Sequence, residues 1–255
     1  MRKKSFLIDI NGVLYVGGKP IPGAIETIDL LRKKDYLFRF VTNATRSSRR
    51  TLQKKLLSMG FDIREDEIFS APRATVEYLK KSGLNKVFPL STGDVEAEFT
   101  DAGIILTDSS PDYVIVGDAG DNFSFGNMNK AFNLILNGAK LIAMEKDRHW
   151  ITPEGRLMSA GPFVAALEYA TGKKATILGK PSKDFFRLAL KDMDAKAADT
   201  IMIGDDIFTD IGGAQSAGLR AYLVKSGKYN KTEVAGSRIK PDKIINSIAD
   251  LQGIL

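Results

Sequence analysis

The chain contains no cysteine among its 255 residues. Disulfides, thiolate metal sites and thiol nucleophiles are thereby excluded. It has no run of about 18 apolar residues, so no membrane-spanning helix is expected. The opening "MRKKSFLIDI" is basic and then apolar, but the apolar part is too short for a signal segment and Asp9 interrupts it. A cytoplasmic location is the expectation. No internal repeat and no low-complexity segment stands out. What is present is ordinary for a globular protein: 44% hydrophobic and 27% charged residues. The length suits one large domain or two smaller ones with a sizeable core.

The formal net charge is +6. The excess is spread along the chain. Its densest cluster, Arg46, Arg49, Arg50, Lys54 and Lys55, falls on the start of an expected helix and reads as a solvated face. A mild basic excess suits a small anionic substrate. It gives no footprint for nucleic acid.

Short β-rich runs alternate with helical segments. "FLIDI" reads as a strand, "GAIETIDLLRKK" as a helix, "YLFRFVTN" as a strand, and "SSRRTLQKKLLSMG" as a helix with a serine N-cap and Gly60 at its end. This βαβ rhythm implies parallel strands joined by right-handed crossovers. A second series runs through "KVFPLS", "DYVIVGD", "SFGNMNKAFNLILNG" and "AKLIAM". After a polar loop comes the helix "GPFVAALEYATG". The last third gives the amphipathic "SKDFFRLALKDM", the strand "DTIMIGDD", a short helix "DIGGAQSAG", the strand "LRAYLVKSG" and a closing helix "KIINSIADLQ".

Four stretches place polar residues just past the carboxyl end of an expected strand, where open parallel sheets bind ligands. In "DINGVLY", Asp9 ends a buried strand and Gly12 permits a sharp turn. A carboxylate there is costly unless it has work to do. In "VTNATRSS", Thr42 and Asn43 offer a hydroxyl and a backbone N–H to a phosphate oxygen, ahead of a helix N-terminus. In "GKPS", Lys180 is held in a turn as an anion clamp. In "IMIGDDIFTDI", Asp205 and Asp206 follow a strand and Asp210 lies one helical turn on. Clustered carboxylates are tolerable around a cation such as Mg²⁺. Asp9, "VTN" and "GKP" alone each have an ordinary structural reading as a cap, a strand end or a turn, whereas three acids around one strand end have few. Together they make a carboxylate nucleophile, a metal cage, a hydroxyl and a lysine, the kit for phosphoryl transfer through an aspartyl-phosphate.

In order and placement these four stretches resemble the motifs of the haloacid dehalogenase (HAD) superfamily of phosphohydrolases, and the likeness covers the whole chain. The long insert between the second and third motifs resembles the α/β cap of subclass IIA, shared with 4-nitrophenylphosphatase-like proteins. The segments "GPFVAALEYATG", "VIVGD", "MIGDD" and "LVKSGKY" look most like the branch of haloacid dehalogenase-like hydrolase domain-containing and phospholysine phosphohistidine inorganic pyrophosphate phosphatase proteins. The resemblance implies an α/β fold: a Rossmann-like core with a parallel sheet, at 1–71 and 177–255, plus an inserted C2-type cap domain at 72–176. It implies Asp9 as nucleophile and a Mg²⁺ held by Asp9, the Asn11 backbone carbonyl and Asp205. Gly12, Thr42, Asn43 and Lys180 would hold the phosphate. Asp210 would orient Lys180 or metal waters, and Asp206 would be a supporting acid. The implied partner is a small phosphorylated substrate. Nucleic acid and membrane are not expected, and a homodimer is allowed.

One letter departs from the pattern. Active phosphatases of the superfamily usually carry a second aspartate where this chain has Asn11. That acid protonates the leaving group and then activates water, which is worth about 10²–10⁴-fold. An amide does neither, although the backbone carbonyl survives the exchange. The branch named above also lacks the acid here and carries a serine. Slow turnover, or leaving groups that depart without strong protonation, is the expectation; a silent phosphate-binding protein is the alternative. The insert carries the only histidine and the only tryptophan, in "MEKDRHWITPEG". Lys146, Arg148, His149 and Trp150 there form either a loop that greets an anionic or planar substrate or a surface β-hairpin with Trp150 partly buried.

Overall fold

The computed structural model describes residues 4–152 and 155–255. The strands in chain order are β1 (Ser5–Asp9), β2 (Tyr15–Val16), β3 (Lys19–Pro20), β4 (Leu37–Thr42), β5 (Ile68–Ser70), β6 (Lys86–Leu90), β7 (Ile105–Leu106), β8 (Tyr113–Val116), β9 (Lys140–Ala143), β10 (His149–Thr152), β11 (Gly155–Met158), β12 (Thr176–Ile177), β13 (Thr200–Gly204), β14 (Arg220–Val224) and β15 (Lys243–Ile245). The chain divides into two compact units. The first holds the residues up to Thr42, then Gln53–Phe69 and Lys180–Leu255; the second holds Asn43–Leu52 and Ser70–Gly179.

The first unit is built on a six-stranded sheet of order β15-β14-β13-β1-β4-β5. β1 pairs in parallel with β4 on one side and β13 on the other, and β14 and β15 continue in parallel beyond β13. Every residue of β1 and β13 is buried, as expected of strands covered on both faces. The one polar pair between them, Ser5 and Thr200, is satisfied by a buried hydroxyl–hydroxyl hydrogen bond of 2.7 Å. The helix Lys183–Asp192 buries Phe185, Phe186, Ala189 and Leu190 on one side. Phe185 meets Phe69 and Phe186 edge-on, each at 5.5 Å. Each such phenylalanine contributes about 1.5–3 kcal/mol by leaving water. The chain leaves β1 towards β4 and β5 on one flank and returns to β13, β14 and β15 on the other. The strand order therefore reverses between β1 and β13, the point where an open sheet leaves a crevice.

The second unit repeats the layered plan with a five-stranded sheet of order β12-β9-β8-β6-β7, all of whose pairings are parallel. Alternate residues of β8 serve opposite faces. Tyr113 and Ile115 join one apolar cluster with Val76, Leu79 and Phe99, while Val114 and Val116 join another with Ala131, Ile135, Val164 and Leu167. The helix Phe125–Leu136 is capped by Ser124, whose hydroxyl accepts from the Asn127 N–H at 3.2 Å.

The structure departs from the sequence reading at several segments. The expected closing helix begins as a strand: Lys243–Ile245 pairs with Tyr222–Val224 at the sheet edge, and a short 3₁₀ helix, Ile248–Gly253, follows. Ser247 accepts from the Ala249 N–H at 3.2 Å, so the helical signal starts at the serine and not before it. The three-residue β5 was too short to show a period. Of the two readings of the stretch after β9, a substrate-facing loop or a surface β-hairpin, the structure has the antiparallel hairpin, β10 and β11, with Trp150 opposite Leu157 and 38% exposed. Pro153 and Glu154 of the "MEKDRHWITPEG" stretch lie outside the described residues.

Candidate active site

The acids of the first unit converge because their strands are neighbours. Asp9 is the last residue of β1, and Asp205 directly follows the last residue of β13, the strand beside it. Lys180, brought in ahead of the Lys183–Asp192 helix, is 4% exposed. Its ammonium donates to Asp9 Oδ1 at 2.5 Å and to Asp210 Oδ1 at 2.6 Å. Asp210 is held in turn: its Oδ2 accepts from the backbone N–H groups of Asp205 at 3.1 Å and Asp206 at 3.2 Å. Asp9, Asp205 and Asp210 each offer a carboxylate oxygen within 4.8 Å of the others, and all three residues are buried. Thr42 ends β4, one residue beyond the Asp9–Val41 pair, and is buried.

Two members of the expected set sit differently. Asp206 caps the turn that follows it: its Oδ1 accepts from the N–H groups of Phe208 at 2.9 Å and Thr209 at 3.0 Å. It is not part of the carboxylate cluster. Asn43 follows Thr42 in the chain but groups with the second unit, where its side-chain amide donates to Asp147 at 3.3 Å.

Comparison with known proteins shows the family. The family model for haloacid dehalogenase-like hydrolases matches residues 6–105, and a HAD-hydrolase-like model matches residues 177–251. The chain is 41% identical, over 90% of its length and 87% of the relative, to haloacid dehalogenase-like hydrolase domain-containing protein 2 of Bos taurus. It is 37% identical, over 99% of its length and 94% of the relative, to the phospholysine phosphohistidine inorganic pyrophosphate phosphatase of Homo sapiens. This chain belongs to the haloacid dehalogenase-like hydrolase family. Among solved structures, the p-nitrophenyl phosphatase from Archaeoglobus fulgidus superposes with a TM-score of 0.93 at 30% identity, covering 99% of both chains.

The electrostatics of this HAD-like hydrolase follow from burial. Burial raises the Asp9 carboxyl to about 6; Lys180 beside it opposes the rise and the Asp210 charge adds to it. Burial, then the charges of Asp9 and Asp210, push Asp205 to about 8. Burial disfavours the Lys180 cation, but Asp210 and Asp9 outweigh it and hold the lysine charged, above its usual value. Lys180 within the cluster and the Lys228 charge nearby do not balance three carboxylates. The oxygens of Asp9, Asp205 and Asp210 are hard donors of the type Mg²⁺ takes. The Asn11 carbonyl fits the same set. Those of Ile10 and Gly12 on either side accept from the Leu14 N–H at 2.9 Å and the Ser226 hydroxyl at 2.7 Å. The Asn11 carbonyl accepts no hydrogen bond among the described residues. The residues present thus fit a divalent cation.

Sequence reasoning passed over the loop after β14. Ser226 holds the Gly12 carbonyl, the Lys228 N–H donates to Asp205 Oδ2 at 2.8 Å, and the Lys228 ammonium meets Asp206 Oδ2 at 3.3 Å. The strand-end argument that found Asp9 applies equally to "LVKSGKY". Only its place after a strand marks the stretch, which carries no acid.

Proposed function

We propose that this hydrolase is a Mg²⁺-dependent phosphoric monoester hydrolase that acts on small phosphorylated substrates through an aspartyl-phosphate on Asp9. The observation that carries the reading is the buried Lys180 bridge between Asp9 and Asp210, with Asp205 in the same cluster. A relative named for phosphatase activity on phospholysine, phosphohistidine and pyrophosphate, and a neighbour named p-nitrophenyl phosphatase, support the reaction class.

In this reading a carboxylate oxygen of Asp9 forms a bond to phosphorus while the leaving oxygen departs with its bonding electrons. Lys180 fixes the other Asp9 oxygen and offsets charge on the phosphoryl group. Thr42 and Asn43 are the proposed donors to the phosphoryl oxygens, with the backbone at Gly12. A bound Mg²⁺ would supply Lewis-acid charge neutralisation between the phosphoryl group and the ligands Asp9, Asp205 and the Asn11 carbonyl. Asn11 has no proton to give the leaving oxygen and cannot take one from the water of the second step. Both protons therefore pass to and from solvent, and turnover is slow except where the leaving group is weakly basic. In the same reading the inserted unit selects the leaving group.

Hydrolysis of 4-nitrophenyl phosphate tests this, with and without Mg²⁺ and with Asp9→Asn as control. Turnover that needs Mg²⁺ and vanishes in the control is expected. Turnover that persists in Asp9→Asn overturns the mechanism. Asn11 favours a second reading, a phosphate-binding protein that has lost chemistry. It requires phosphate binding with Mg²⁺ and no turnover even of aryl or acyl phosphates.

A further inference from the structure

The loop Ser226–Gly227–Lys228 lies against Asp205 and the turn after β1, yet none of its side chains belongs to the nucleophile, the lysine bridge or the carboxylates. Asp205 lies between two glycines from different loops. A methyl group added at Gly12 would fall 2.0 Å from Asp205 Oδ2, and one added at Gly227 would fall 2.1 Å from the same oxygen and 2.7 Å from Gly12 Cα. Contacts that close exclude any side chain, so both positions require glycine. The loop also makes two hydrogen bonds that fix what lies beside it. The Lys228 N–H occupies Asp205 Oδ2. The Ser226 hydroxyl occupies the Gly12 carbonyl. Asp205 Oδ1 and the Asn11 carbonyl are left without hydrogen-bond partners among the described residues.

We propose that Ser226–Gly227–Lys228 is a positioning clamp. It holds the Asp205 carboxylate and the turn after β1 so that one oxygen of Asp205 and the carbonyl of Asn11 stay free for the divalent cation. The inference rests on the metal-dependent reading above. It assigns the work to one hydroxyl, one backbone N–H and one missing side chain. The Lys228 ammonium has a different neighbour, Asp206. Partners of this kind orient ligands, and their loss typically weakens metal affinity about 10- to 100-fold.

Mg²⁺ affinity measured by calorimetry, together with the Mg²⁺-induced rise in melting temperature, tests the clamp without turnover. Ser226→Ala should weaken Mg²⁺ binding about 10-fold, and Ser226→Thr, which keeps the hydroxyl, should recover most of it. Gly227→Ala should weaken it at least as much. Lys228→Met keeps the backbone N–H and should bind Mg²⁺ no more weakly than the parent. Ser226→Ala carries the test if Gly227→Ala fails to fold. Parent-like affinity in a folded Ser226→Ala protein overturns the clamp alone. A large loss in Lys228→Met overturns the assignment to the backbone. A parent protein that binds no Mg²⁺ overturns the metal-dependent reading itself, a result the variants would not be needed to see.

Discussion

Both units carry acids just past the carboxyl ends of parallel strands, and the two sets live differently. In the second unit Asp94, four residues beyond β6, accepts from the Ser48 N–H at 2.8 Å and from the hydroxyls of Ser48 and Thr51, both at 2.7 Å. Glu145, two residues beyond β9, accepts from the Ser159 hydroxyl at 2.6 Å and from the N–H groups of Ala160 at 2.9 Å and Asp147 at 2.5 Å. Neutral donors fill these carboxylates and tie loops to helix starts. In the first unit Asp9, Asp205 and Asp210 face one another around a single lysine. A strand-end acid whose oxygens are filled by nearby hydroxyls and N–H groups is architecture. One with an oxygen to spare, beside others of the same charge, is a candidate for a ligand.

Substitutions can break this contrast. The largest effect belongs to Asp9→Asn, which should lower kcat for 4-nitrophenyl phosphate on the order of 10⁴-fold or more while circular dichroism shows an intact fold. Asn11→Asp should sharpen the first unit's chemistry, raising kcat/KM for alkyl phosphates about 10²- to 10⁴-fold. No gain in steady-state assays would favour the binding reading. Lys180→Met removes the only cation bonded to Asp9 and Asp210 among the described residues. It should cost about 3–5 kcal/mol in urea unfolding without divalent ions, and Mg²⁺ should restore part of the loss.

Glu145→Gln is the smallest, about 1–3 kcal/mol, and should leave Mg²⁺ affinity at the parent value. It also changes a pH slope. Burial raises the Glu145 carboxyl above its ordinary value, although its hydrogen bonds oppose the rise. Its share of the stability is therefore present at low pH and is lost as pH rises through the folded-state value. Asp94 runs the other way. Burial opposes its ionisation, but the Ser48 and Thr51 donors win and lower it, so its share is lost as pH falls. Unfolding measured from pH 4 to 8 should show the falling component, to which Asp9 and Asp205 also contribute, shrink in Glu145→Gln and persist unchanged in Asp94→Asn.

The central strands and their terminal acids were legible because burial on both faces writes continuous apolar runs, and a charge ending such a run has few structural uses. Asp205 and Asp210 stood out as part of three acids around one strand end, whereas Asp9 and Lys180, which alone read as a cap or a turn, could be read only as members of the set. Asp206 was separated from its neighbour Asp205 only through the family resemblance, because a cap and a ligand share the same letter and differ only in which N–H groups lie ahead. The Ser226–Lys228 loop works through a hydroxyl, an amide and an absent side chain, none of which carries a compositional signal. The β10–β11 hairpin was one of two readings left open, because a short polar stretch fits a loop as well as an exposed hairpin. Lys243–Ile245 lacked the length to declare a strand until β14 was seen beside it.

The two-carboxylate grip on Lys180 has a consequence for chemical labelling. An amine acylates only when it can shed a proton and meet the reagent. Lys180 can do neither, being buried and held charged from two sides. Amine-reactive probes should modify the exposed lysines of the native protein and spare this one. Its appearance among labelled peptides would then serve as a mass-spectrometric clock for the opening of the site.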